Sequence, residues 1–330
     1  MTDKRTAGCV LALGLLALAG CEPRQGMEPA AVQPTTGEAV VAHPERLPAP
    51  TWAEAANAVY AGPMGMQFML ENGEWQGEPY AEGSVVSPRA GLVRDFRLSG
   101  DLDGDGADES VVLVWTSTGG SGTFDYLAVV ERTADGTVAE RASAALGDRV
   151  QVRDAQLAGR RVVLDVVQAG PGDARCCPGQ KMRRIFALQE DAMIEISSED
   201  RGRLSVADLD GEWKLLELGR GRPVPGDVQI GARFDGGRLS GQAACNRYTG
   251  QVEAGDAPGD LSLAGPLAVT RMMCPPPLME WERDYLQALE GLRKFSFTAG
   301  KLVLTWSTED GVDSLRFESV QSPDAPATGE

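Results

Sequence analysis

Short apolar runs, most of them closed by a glycine-bearing turn, set the tightest limit on what this 330-residue chain can fold into. Runs at 92–98, 111–115, 124–131, 162–167 and 184–188 have the length of strands and are too short for core helices. Gly119-Gly120-Ser121-Gly122 and Asp135-Gly136 supply tight turns among them. A second series lies at 209–215, 228–234, 238–240, 295–298, 302–306 and 312–317, with Asp235-Gly236 and Asp310-Gly311 as hairpin turns. Two helices interrupt the pattern. Thr51-Trp52-Ala53-Glu54 has the form of a capping box opening a short helix to Tyr60, ended by Gly62-Pro63. Pro277 suits a first helical position, and Leu278, Trp281, Tyr285, Leu289 and Leu292 fall three and four apart as one apolar stripe. The expected fold class is mainly β, of α+β type, in two domains. The first, 51–200, is antiparallel β with a short helix; the second, 205–320, is antiparallel β with one helix.

The N-terminus speaks to compartment. Lys4 and Arg5 precede an uncharged stretch, 7–20, with the size of a signal-peptide core and too short for a membrane span. It ends in Leu18-Ala19-Gly20-Cys21, which resembles the lipobox of bacterial lipoproteins. On that resemblance residues 1–20 are a signal peptide and Cys21 is the lipidated residue, carrying palmitate-type chains that anchor the protein to a membrane. Glu22, in place of Asp, points to the outer membrane of the bacterial envelope. Residues 21–50 hold six prolines and read as a disordered tether, and 321–330 as a disordered tail. The formal charge of −17 argues against nucleic acid and anionic lipid as partners and permits divalent cations.

An acidic stretch precedes the strand run at 111–115. Asp101, Asp103 and Asp105 alternate, with Gly106 at the sixth position. Carboxylates so spaced converge on one calcium ion, and the glycine allows the sharp turn. The twelfth position is Val112, so this is not an EF-hand. It resembles strand–loop–strand calcium loops, with Asp101, Asp103, Asp105, the Ala107 carbonyl and Glu109 as ligands. Such a site is structural and weak, about 10⁻⁴–10⁻³ M. The alternative is a solvated acidic turn, since Asp and Gly favour turns for backbone reasons alone.

The motifs of the second half are Cys245-Asn246 within 241–248, Thr270-Arg271-Met272-Met273-Cys274, and Glu282 in the helix that follows. Over about 205–320 these resemble the META family of HslJ-like bacterial lipoproteins. The resemblance implies a compact antiparallel β domain wrapped around a single helix, in an envelope lipoprotein linked loosely to stress. It implies no catalytic residue and no defined ligand. Met272 and Met273 read as core, and Asn246 as a turn residue.

Four cysteines remain beyond Cys9 and Cys21, an even number that favours disulfides in an exported protein. Cys245 and Cys274 each end a strand signal, which favours their pairing. Cys176-Cys177 lies in a Gly/Pro-rich loop and leaves several readings open: a redox or ligand-contact loop, a structural vicinal disulfide, a buried thiol pair, or cross-pairing with Cys245 and Cys274. Enzymatic chemistry has little to work with. The one histidine, His43, lies in the tether, Ser121 lacks the surroundings of a nucleophile elbow, and nothing in the sequence brings Asp125 and Asp165 together. The expected function is that of a noncatalytic lipid-anchored envelope protein with a binding or structural role, its partner an envelope protein or ligand. The alternatives are an inhibitor of a secreted protease or lysozyme, and a calcium-dependent binding module.

Overall fold

The computed structural model describes residues 48–61, 67–83, 86–174, 176–309 and 311–320. The segments expected to be signal peptide and tail, Cys21, His43 and almost all of the expected tether lie outside the described residues.

The first sheet holds eight strands: β1 (Val59–Ala61), β2 (Gln67–Met69), β3 (Glu74–Gln76), β4 (Arg89–Leu92), β5 (Leu98–Gly100), β6 (Glu109–Ser117), β7 (Phe124–Arg132) and β8 (Val138–Asp148). The second holds four: β9 (Gln151–Ala158), β10 (Arg161–Gln168), β11 (Gln180–Gln189) and β12 (Ala192–Arg203). The third holds nine: β13 (Gly211–Leu218), β14 (Ile230–Asp235), β15 (Arg238–Ala243), β16 (Asn246–Ala254), β17 (Leu261–Leu263), β18 (Ala268–Val269), β19 (Leu292–Thr298), β20 (Lys301–Thr308) and β21 (Gly311–Ser319). Pairing is antiparallel throughout the described strands, apart from a short parallel contact of β1 with β8. Helices α1 (Trp52–Ala55) and α2 (Pro276–Glu290), with a 3-10 turn at Val206–Leu209, complete the architecture of the described residues. The molecule is mainly β, as the run lengths require.

β6 explains the unbroken apolar run before Trp115. Val111 and Leu113 face a core shared with Val162, Leu164 and Phe186 of the second sheet. Val112 and Val114 face a separate core built from Ala55, Tyr60, Phe68 and Leu92. A strand covered on both faces has no reason to alternate. The third sheet encloses its own core, into which α2 lowers Tyr285, Ala288 and Leu289. The halves also meet directly. Phe297 N donates to Gln151 Oε1 (3.0 Å) and Gly300 N donates to the Val152 carbonyl (3.0 Å).

Three local expectations are corrected. The capping box of Thr51 and Glu54 forms, but the helix stops after one turn. Val59 and Tyr60 instead pair with Met69 and Phe68, and the Tyr60 hydroxyl donates to the Ala55 carbonyl at 2.8 Å, which turns the chain back into a strand. The run at 92–98 is not one strand: only its ends, Leu92 in β4 and Leu98 in β5, are extended, and 93–97 turn between them. Asp95 adopts a left-handed φ of 59° and breaks it, leaving β4 and β5 to pair separately with β6. The second helix begins at Pro276, one residue early, and Leu292 of the expected stripe lies in β19.

Candidate functional site

The tightest polar cluster surrounds Asn246. β15 and β16 are joined by a two-residue turn, Ala244-Cys245, with Ala244 in left-handed conformation at φ 60°. Asn246 begins β16 and is 3% exposed. It does flank a turn, but its side chain serves another purpose. Its Oδ1 accepts from Met272 N (2.7 Å) and Thr270 Oγ1 (2.7 Å). Its Nδ2 donates to the Met272 carbonyl (3.2 Å) and to Glu282 Oε1 (3.1 Å). Its backbone N–H donates to the other Glu282 oxygen at 2.7 Å. One buried amide thus ties a hairpin, a loop and α2 together, and both ends of the side chain are satisfied. Cys245 and Cys274 are bonded, with Cα atoms 6.1 Å apart, so the loop is fastened at its far end too. Below this cluster the hydroxyls of Tyr248 and Tyr285 share a hydrogen bond of 2.7 Å, and burial raises both phenols above the ordinary tyrosine range.

What the cluster holds in place is the stretch Arg271-Met272-Met273. Met272 is 56% exposed and Met273 93% exposed. The core assignment of these two methionines is therefore corrected. Beside the loop runs an open trough of about 830 Å³ on the outer face of β13–β16, lined by Lys214, Gly231, Arg233, Gln242 and Arg247 among others. Arg247 joins the two features. Its backbone N–H donates to Thr270 Oγ1 (3.1 Å), and its carbonyl accepts from Thr270 N (3.0 Å). Gly241 has no room for a side chain, because a Cβ would collide with the Gly231 carbonyl.

The acidic loop lies between β5 and β6. The structure brings together Asp101, Asp103 and Glu109, each offering an oxygen within 4.8 Å of the others. Asp105 is not in that group; its Oδ1 accepts from Ala107 N at 2.7 Å in a local turn. Leu102 N donates to Glu109 Oε2 at 2.8 Å. Burial, with the charges of Asp103 and Asp105 adding to it, pushes the Glu109 carboxyl up to about 7. Arg141 does the opposite for Asp103: its guanidinium sits 2.6 Å from Asp103 Oδ2 and holds that carboxyl below its ordinary range. The donor set is all oxygen and suits a hard cation. Arg141 already supplies one positive charge beside it.

The four cysteines fall into two separate pairs. Cys176 is bonded to Cys177, and nothing crosses to Cys245 or Cys274. Of the carboxylates considered for acid–base work, Asp125 lies on β7 and Asp165 on β10, in different sheets. Burial raises the Asp125 carboxyl to about 7, although Val150 N donates to it at 2.9 Å. Its proton is held more tightly in the folded state than in the unfolded chain. Stability linked to Asp125 is therefore present at pH 4 and lost as pH rises toward 7. Asp125→Asn is expected to flatten part of the fall in melting temperature between pH 4 and 7, leaving the share due to Glu109. Melting curves across that window check it, and an unchanged slope contradicts it.

The third sheet, with one face of α2 packed into its core, defines a class: an antiparallel β domain carrying a single helix. Residues 179–321 match the family model of the META domain. That family is associated with the cell envelope and is generally non-catalytic. No curated protein matches the chain. The match begins at Gly179, so it takes in β11 and β12 of the second sheet as well. The sequence pointed to Cys245, Asn246, Glu282 and Cys274 as motif residues. It missed the exposure of Met272 and Met273, which depends on bonds to Asn246 26 positions away.

Proposed function

We propose that the chain is a noncatalytic, lipid-anchored envelope protein, held by Cys21 at the outer membrane, which binds another envelope component through the 270–274 loop. One observation carries this reading: an exposed methionine pair stands on a loop fixed by a buried amide and a disulfide. Methionine is flexible and polarisable and suits a surface that must fit a partner. A loop already ordered before contact loses little entropy on binding. The experiment is a pull-down from detergent-solubilised envelopes with the protein and its Met272→Ser/Met273→Ser variant. The variant is expected to lose at least tenfold in recovery of a stoichiometric partner while melting within about 2 °C of the parent, since surface substitutions rarely cost more than 0.5 kcal/mol. Equal recovery by both proteins sinks the loop as the contact. A secreted protease or lysozyme as the partner supports the inhibitor alternative.

A second reading, a calcium-dependent binding module, draws on the convergence of Asp101, Asp103 and Glu109. A site of about 10⁻⁴ M stabilises the fold by about 1.4 kcal/mol at 1 mM calcium. The chelated protein is expected to gain several degrees in melting temperature on adding 1 mM calcium, and Glu109→Gln to gain none. A flat response in the parent protein removes this reading.

A further inference from the structure

The loop between β10 and β11 carries Cys176-Cys177-Pro178, and the two bonded sulfurs sit in unlike surroundings. Cys176 is exposed, whereas Cys177 is 7% exposed. Lys294, from β19, places Nζ 3.2 Å from Cys177 Sγ and 3.1 Å from Asp260 Oδ1. The loop itself is held. Asp173 accepts from Gly170 N (2.8 Å) and Gly179 N (2.9 Å) and pairs with Arg203, which holds its carboxyl at about 2. Leu204 N donates to the Gly179 carbonyl at 2.8 Å.

Thiol–disulfide exchange has a direction at such a pair. The attacking thiolate must reach a sulfur, and the sulfur that leaves must carry the negative charge. Solvent reaches Cys176, and the ammonium faces Cys177. We infer that Cys176–Cys177 is a thiol-exchange site for small external thiols, with Cys176 as the attacked sulfur and Cys177 as the leaving thiolate stabilised by Lys294. In the first step a bond forms between the external sulfur and Cys176 Sγ, the Cys176–Cys177 bond breaks, and its electron pair stays on Cys177 Sγ. A second external thiolate then attacks the external sulfur of the mixed disulfide. It releases the Cys176 thiolate and leaves as an external disulfide. Two electrons pass from two external thiols to the pair, and their two protons end on Cys176 and Cys177. Lys294 belongs to the third sheet, so reduction also changes the contact that fastens this loop to β19.

The test exposes the folded protein to reduced glutathione, quenches it with N-ethylmaleimide, and maps the tryptic peptide 176–181 by tandem mass spectrometry. Glutathione is expected on Cys176 and the maleimide on Cys177. This pair is expected to open at least tenfold faster than Cys245–Cys274, whose Cys245 is 4% exposed. Lys294→Met is expected to slow the opening about threefold to tenfold, because the leaving thiolate loses its cation, and Lys294→Arg to restore most of the rate. Glutathione mainly on Cys177, opening no faster than at Cys245–Cys274, or a rate indifferent to Lys294→Met overturns the inference. The adduct position in the parent protein decides the matter even where a Lys294 variant fails to fold.

Discussion

Asn246→Asp is expected to lower the stability of the folded chain by about 3–5 kcal/mol, although it changes a single atom. The amide donates to Glu282 Oε1 at 3.1 Å and to the Met272 carbonyl at 3.2 Å. A carboxylate donates neither bond. It also faces the Glu282 carboxylate in a nearly buried position, where two like charges repel strongly and one of them must take up a proton. For a chain of this size the loss corresponds to about 6–20 °C in melting temperature. The deficit is expected to shrink as pH falls from 8 to 5, since a shared proton then replaces part of the lost donor. Thermal melts at both pH values measure it. A variant within 3 °C of the parent at pH 8 would show that the amide is not the tie described above.

Removing the Cys245–Cys274 bond is the next largest expected effect. The bond closes a loop with a sequence separation of 29 residues. The chain-entropy model gives about 3–4 kcal/mol for a closure of that length. The Cys245→Ala/Cys274→Ala variant is expected to unfold at lower urea by that amount, with a slope somewhat steeper than the parent's because its unfolded chain is no longer cross-linked. Because the bond fastens one end of the methionine loop, tryptic cleavage after Arg271 is expected to speed up as well. Rapid cleavage without a shift in urea midpoint would separate the loop from global stability, and no change in either would leave the bond without a mechanical role. The two variants share one cluster, so their effects are not expected to add.

Much of the β architecture was written in run length and turn chemistry. The strand at 111–115 follows from the length of its apolar run and the stripe on α2 from its spacing, while the hairpin expected at Asp235-Gly236 forms one residue later, with Asp235 in β14 and Gly236-Gly237 as the turn. Local signals failed where tertiary pairing competed with them. Thr51 and Glu54 do cap a helix, yet Tyr60 belongs to a strand because Phe68 offers it a partner and a shared core. The break at Asp95 had no glycine to announce it. Asp101, Asp103 and Glu109 were recognisable by spacing, but Arg141 lies 38 positions beyond Asp103 and no local pattern connects them. Asn246 was recognisable as a motif residue and not as a buried anchor, since its partners Met272 and Glu282 are 26 and 36 positions away. The direction of Met272 and Met273 depended on the same distant bonds.

The stretch that matches the META model starts at Gly179, but the sheet that holds β11 starts at Gln151. β11 is bonded to β10 along eight residue pairs, from Arg161–Ala187 to Gln168–Gln180. Cutting the chain at the edge of the match would bare that whole row of amides and carbonyls, and leave Phe186 and Leu188 without their cover. Such an edge invites a second molecule to add its own strand. The border of the match and the border of the sheet therefore fall in different places. An excised fragment should begin after β12, where the nine-stranded sheet stands complete, because a start at β9 would still bare the core face that the second sheet shares with Val111, Leu113 and Leu127.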